Sequence, residues 1–338
     1  MFEIPEARQW AQLFAISKKI RQLEPWRRYN SSEIITIKAA SEQEPIFCTI
    51  LGAEEDYYGV SVFPSYADLA GHLKILAAGS EPPLQIILQN QSCVNLYFGE
   101  KDILSPGDRS AMEYGEYLPE PGPLNQIFFR TYTPGLAPWY INAQEAGILI
   151  RALNMLYDCL TTAEAKVIHT KKASETLYFT NAASGNWHCE VKLLPSLETK
   201  VKEYLIHDEL FLGRLKRLPR VATAIELESA YVTSPVVDGN SPRPCFPRMV
   251  AIADHDEGTI EAHKILEFSE NLNEEIISLL AEYIKNNGRP RLLIIRKNGL
   301  YNTIKYFCEK TGIAIEERRN LEIVDDFLGL IGEQPPEK

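Results

Sequence analysis

The strongest constraint on the fold of this chain lies in its last third, where the hydrophobic period switches repeatedly between two and 3.6. Residues 223–236 (TAIELESAYVTSPV) alternate as a strand. Residues 248–268 hold two more strand patterns around the turn Asp254-His255-Asp256-Glu257-Gly258-Thr259, a composition suited to a tight reversal. Asn271 or Asn273 then caps a helix whose Ile276, Leu279, Leu280, Tyr283 and Ile284 share one face, and Gly288 ends it. Residues 291–299 predict a buried strand, 302–312 a helix closed by Gly312, and 313–319 a last strand. The order over residues 221–330 is β-β-β-α-β-α-β, an α/β domain.

The chain has 338 residues, more than twice the usual domain size of about 150, so two domains are expected. Residues 1–160 read as an α+β domain. Trp10, Leu13, Phe14, Ile20 and Leu23 follow helical spacing between Pro5 and Pro25. Three short strands follow within residues 34–63, punctuated by Gly52 and Gly59, and residues 68–79 return to helical period. Residues 83–99 predict a strand region, 100–123 a Pro/Gly/Glu-rich loop, 126–141 an extended stretch, and Asn142 caps a helix over 143–160. Residues 161–220 read as a connecting hairpin and helix, the hairpin turning around Ala183-Ser184-Gly185-Asn186, and residues 331–338 as a frayed polar tail.

The stretch from Ile225 to Glu316 resembles the RNase H-like core of retroviral-type integrases and transposases. The matching phrase is Gly288-Arg289-Pro290, then Leu292 to Ile295, then Arg296-Lys297-Asn298-Gly299, with Thr311-Gly312-Ile313 ahead of the final strand. The resemblance implies three antiparallel strands, a helix, a parallel strand, a second helix and a further strand. The whole chain is also similar to an uncharacterised bacterial two-domain family. That similarity runs through Pro25-Trp26, Leu51-Gly52, Tyr57 to Val62, Arg243-Pro244, Pro247 and Gly288-Arg289-Pro290. The family implies no established activity.

RNase H-like nucleases hold two metal ions about 3.5–4 Å apart between carboxylates. The resemblance puts the first acid at Glu226 or Glu228, the second where Lys297 stands, and the third at Asp325 or Asp326. A lysine cannot ligate a metal and repels one, so the inherited site is expected to be dead. An alternative is a metal-dependent phosphodiesterase or nuclease with relocated carboxylates among Glu226, Glu228, Asp254 and Asp256. Against it, the Asp254–Thr259 run, with His263 nearby, is ordinary turn chemistry. A third reading is an anion- or nucleic-acid-binding module using Arg289, Arg291, Arg296 and Lys297. From residue 221 onward, however, 13 basic residues face 20 acidic ones, a net of −7 that repels polyanions.

The whole chain carries a formal charge of −11, which argues against a dedicated nucleic-acid binder. Its six cysteines are widely scattered with no CxxC pair, as expected of reduced thiols in the cytoplasm. Neither a signal peptide nor an apolar run long enough to cross a bilayer is evident. P-loop, GxGxxG and GxSxG motifs are absent, so no catalytic residue and no cofactor are expected. His72, His169, His188 and His207 read as surface or hydrogen-bonded histidines. Tyr57, Tyr58, Tyr66, Tyr97, Tyr114, Tyr117, Tyr132 and Tyr140 suit strand packing, or an interface with a protein partner or a second copy. The expectation is a non-catalytic binding or interaction protein, with its partner unknown.

Overall fold

The computed structural model describes residues 3–52, 57–119, 122, 124–181, 186–195, 202–237, 242–268, 270–297 and 299–332. Most of the hairpin turn expected around Ala183 and most of the 331–338 tail lie outside them. The chain forms two compact units, one of Met1–Pro134 with Pro138–Glu198, the other of Gly135–Ala137 with Thr199–Lys338.

The first unit runs α1 (Ala7–Leu23), β1 (Ile34–Lys38), β2 (Ile46–Leu51), β3 (Tyr58–Phe63), α2 (Tyr66–Ala77), α3 (Leu84–Asn90), β4 (Cys93–Gly99), α4 (Pro106–Tyr114), β5 (Gln126–Tyr132), α5 (Ala143–Leu160), β6 (Glu175–Asn181) and β7 (Trp187–Leu193). Its seven-stranded mixed sheet has the order β5-β4-β3-β2-β1-β6-β7. All neighbours are antiparallel except β1 and β6. Strand alternation sends Ile35, Ile37, Cys48, Ile50, Val60 and Val62 to the face packed by α1 and α5. The opposite face buries Ile34, Phe47, Phe63 and Cys93 with Leu69 of α2.

Three expectations need correction here. Residues 83–99 are not one strand region but α3 followed by β4. The 100–123 loop contains α4, because Ser105 caps it, Pro106 opens it and Asp108 returns a bond to the Ser105 N–H. Gly59 does not punctuate: it lies inside β3, where a Cβ would fall 2.0 Å from the Leu96 carbonyl oxygen. Residues 161–220 are also divided. β6 and β7 complete the first sheet, whereas α6 (Glu209–Lys216) packs in the second unit.

The second unit continues with β8 (Ala224–Tyr231), β9 (Arg248–Asp254), β10 (Thr259–Leu266), α7 (Leu272–Asn287), β11 (Leu292–Arg296), α8 (Tyr301–Thr311), β12 (Ala314–Arg318) and α9 (Glu322–Gly332). Its sheet has the order β10-β9-β8-β11-β12, with β8, β9 and β10 antiparallel and β11 parallel to both β8 and β12. Ile225, Leu227, Val250, Ile252, Leu293 and Ile295 bury one face against α6, α7 and α8. Ala224, Ala251, Ala253 and Ile294 bury the other against Leu321 and Val324, at the start of α9. The sequence reading did not contain α9, although Leu321, Val324, Phe327 and Leu328 carry its helical spacing.

Candidate functional site

The charged side chains of the second unit gather where β8 and β11 meet α9. Glu226 and Glu228, two apart on β8, both face the α9 side of the sheet, and both are buried. The parallel register opposes Ile294 to Glu226 and so brings Arg296 beside Glu228. Arg296 Nε donates to Glu228 Oε2 at 2.6 Å, Nη1 donates to the Arg319 carbonyl at 2.9 Å, and Nη2 pairs with Asp325 of α9. The Ser229 N–H donates to the other Glu228 oxygen at 2.9 Å. Burial pushes the Glu228 carboxyl above its ordinary value, although Arg296 pulls it down. Burial also disfavours the Arg296 charge, but the two carboxylates outweigh it and raise its pKa.

Glu226 serves the helix instead. α9 follows Leu321, an apolar residue that cannot cap it, so its first N–H groups need an acceptor from elsewhere. Glu226 Oε2 accepts from the Ile323 and Val324 N–H groups at 3.2 Å each. Its Oε1 lies 2.7 Å from His255 Nδ1, and Arg318 Nη1 lies 2.9 Å from His255 Nε2. Since Arg318 only donates, Nε2 accepts and Nδ1–H points to Glu226. Asp325 Oδ2 takes the Leu321 N–H at 3.0 Å.

The relocated metal set does not assemble. Asp254 opposes Ile225 in the β8–β9 register, which puts it on the α7 face, away from Glu226 and Glu228. Its proximity to Tyr283 of α7 agrees: burial and then the Asp254 charge raise that phenol to about 12. Asp254 Oδ1 accepts the N–H groups of Asp256 and Glu257, and Asp256 accepts from the Ala224 N–H, so both act as turn residues. Among the described residues no three His, Cys, Asp or Glu side chains are arranged to hold a metal ion.

The anion set does not assemble either. Arg289 donates to the carbonyls of Leu218 and Thr311, and Arg291 to that of Ala222. Both precede β11, whereas Arg296 and Lys297 stand at its far end, about 16 Å along the strand. Lys297 is exposed, while Arg296 is committed to Glu228 and Asp325. Arg289 and Arg291 are thus engaged with backbone carbonyls, and Arg296 holds Asp325, one of the two residues the resemblance had placed as the third acid.

Elsewhere, His72 is half-buried and, of its two expected states, takes the hydrogen-bonded one, through the Ser31 backbone. Its ring stacks on Phe63 at 4.5 Å, Nε2 has no partner among the described residues, and burial lowers its pKa to about 4. Most of the tyrosines named as an interface are packed inside. Tyr97 and Tyr132 bond each other, Tyr58 meets Trp26 and Tyr117 stacks on Phe14, whereas Tyr57, Tyr66 and Tyr114 are exposed.

A family model described as a domain of unknown function (DUF7309) matches residues 10–180, half of the chain. The chain belongs to the DUF7309 family. A second model, also a domain of unknown function (DUF6930), matches residues 212–330 of this DUF7309 protein and spans the charged cluster. No curated protein matches it. Among solved structures it is similar to a chain in the simian T-cell lymphotropic virus intasome bound to the PP2A regulatory subunit B56 gamma. That similarity has 15% identity over 35% of this chain and 42% of that one, with a TM-score of 0.25, which establishes no common fold. No helix of the described residues is long and apolar enough to cross a membrane.

Proposed function

We propose that this chain is a non-catalytic binding or interaction protein whose second unit is a degenerate RNase H-like core. The core reading is supported by the strand order β10-β9-β8-β11-β12, with α7 and α8 connecting the parallel strands. The loss of catalysis rests on Arg296. Its guanidinium lies between Glu228 and Asp325, so a fixed protein cation already neutralises the carboxylates a metal would need. Glu226 is likewise saturated by helix N–H groups and His255. The free cysteines, mostly buried, support a reducing cytoplasmic setting.

Titration of the full chain with Mg²⁺ or Mn²⁺ tests the reading by calorimetry and thermal melting. The expected result is no heat of binding and no change in Tm. A cation at a hundred times its Kd adds about 2.7 kcal/mol of stability. A stabilisation of that order, lost in Glu228→Gln, overturns the proposal.

A further inference from the structure

The first unit contains a cavity of 590 Å³ between the start of α1, α4, β5 and the segment Tyr140–Ile141. Its walls include Trp10, Phe14, Ala111, Phe129, Tyr140 and Ile141. The volume falls within the roughly 300–1,000 Å³ typical of small-molecule sites. Such space is uncommon beside a close-packed aromatic cluster, in which Trp10, Phe14 and Phe129 lie 5.6–6.1 Å apart between ring centroids. Two lining side chains, Ile4 and Tyr114, are 68% and 63% exposed. Apolar surface is therefore left to water at the rim as well as within.

The charges around the cavity decide what it admits. Among the described residues no Lys, Arg or His lines it, and two acids do, Glu6 and Asp108. Both Asp108 oxygens are held by Arg130 at 2.6 and 2.7 Å, and the Ser105 N–H and hydroxyl add to the set. The Arg130 guanidinium, itself outside the lining, lies over the Phe128 and Tyr140 rings, so the charge of Asp108 is already answered and none is left free. Glu6 is exposed and engaged in the capping box of α1. Two wall hydroxyls are also used, Ser110 on the Pro106 carbonyl and Tyr140 on Ser105. An anion would meet carboxylates with no cation to answer it. A strongly polar ligand would lose its water for few hydrogen bonds in return.

We infer that this cavity is a binding site for an uncharged, predominantly apolar small molecule with a flat aromatic or alicyclic body. The aromatic walls take the body, and the polar atoms of the ligand face the mouth beside Tyr114. The inference stands on the first unit alone and goes beyond the reading of the second.

The test titrates the full chain with neutral N-phenyl-1-naphthylamine, and with anionic 1-anilinonaphthalene-8-sulfonate as the charged counterpart. Saturable 1:1 binding of the neutral probe is expected, with energy transfer from tryptophan that Trp10→Phe reduces. The anionic probe is expected to bind at least about tenfold more weakly. Ala7→Trp fills the space from an exposed position in the first turn of α1, and Ala111→Phe fills it from α4. Each is expected to weaken the neutral probe by at least about tenfold. Melting curves verify folding, and Ala7→Trp alone decides the matter if Ala111→Phe does not fold. Absence of saturable binding, equal affinity for both probes, or unchanged affinity in a folded filled variant overturns the inference. So does self-association that Ala7→Trp abolishes while no probe binds, which would assign the cavity to a second copy of the chain.

Discussion

Arg296 Nε lies 2.6 Å from Glu228 Oε2 across the parallel strands β11 and β8, and the same guanidinium reaches Asp325 on α9. One side chain thus ties strand to strand and sheet to helix. In Arg296→Met the buried Glu228 loses its counter-charge, at a cost of about 3–5 kcal/mol near neutral pH. The pH dependence has a definite sign. Burial already raises the native Glu228 pKa, so the native state holds that proton more tightly than the unfolded chain does. The destabilisation therefore grows as pH rises above the ordinary glutamate value. Urea denaturation is expected to show a larger loss at pH 8 than at pH 5, with most of it recovered in Arg296→Met/Glu228→Gln. Equal losses at both pH values would contradict a charge-based account.

Asp108 behaves in the opposite sense. Burial pushes its carboxyl up, but hydrogen bonds from Arg130 and Ser105 together outweigh burial and hold it below its ordinary value. The pair is largely buried, with side-chain exposures of 16% for Arg130 and 4% for Asp108, so solvent screens it little. The stabilisation is fully present above the unfolded aspartate pKa and is lost as pH falls through the lower native value. Asp108→Asn is expected to cost about 3 kcal/mol at pH 7 and progressively less toward pH 2. Denaturation of both proteins across that range measures the convergence.

His72 contributes a second acid sensitivity at higher pH. Its pKa falls from 6.5 to about 4, because burial disfavours the imidazolium more than the Ser31 backbone bond favours it. The unfolded chain therefore takes up the proton first. Stability drops as pH falls from 6.5 toward 4, by roughly 3 kcal/mol over the full window. His72→Leu removes that slope. A variant whose stability declines over this window as steeply as the parent would show that His72 is solvated in the native state.

Much of the architecture of the second unit was readable because its elements have strong periods. β9, α7, β11 and α8 lie where Val250, Ile252, Ile276 to Ile284, Leu293 to Ile295, Ile304 and Phe307 place them. The site was less readable. The resemblance drew attention to Lys297, yet Arg296, one residue earlier, carries the ion pairs. Strand alternation explains the difference, since Arg296 shares its face with Ile294, Glu226 and Glu228, whereas Lys297 lies just past the end of the strand and is exposed. Asp254 was misplaced for a related reason, because its face depends on the cross-strand register with Ile225, which a single strand cannot reveal. The 590 Å³ cavity had no local signal: its walls come from α1, α4, β5 and residues 140–141, brought together by tertiary packing alone.

Glu226 gives the most direct prediction about the charged cluster. Its carboxylate accepts the Ile323 and Val324 N–H groups at the positive end of the α9 dipole, in place of the side-chain cap that Leu321 cannot supply. Glu226→Gln keeps the shape but loses the charge and one acceptor, and its amide group must turn toward either the helix N–H groups or His255 Nδ1–H. A cost of about 1–3 kcal/mol is expected. The loss should fall locally, because α9 packs on the small cluster around Ala224, Ala251, Ala253 and Ile294, whereas α7 and α8 are held by the larger core on the other face. Hydrogen exchange separates the cases. In Glu226→Gln the Ile323 and Val324 amides should exchange faster by a factor reflecting that cost, while the Leu280 and Ile284 amides of α7 retain their protection. A uniform increase across α7 and α9 would mean that Glu226 stabilises the unit as a whole, and that α9 has no opening of its own.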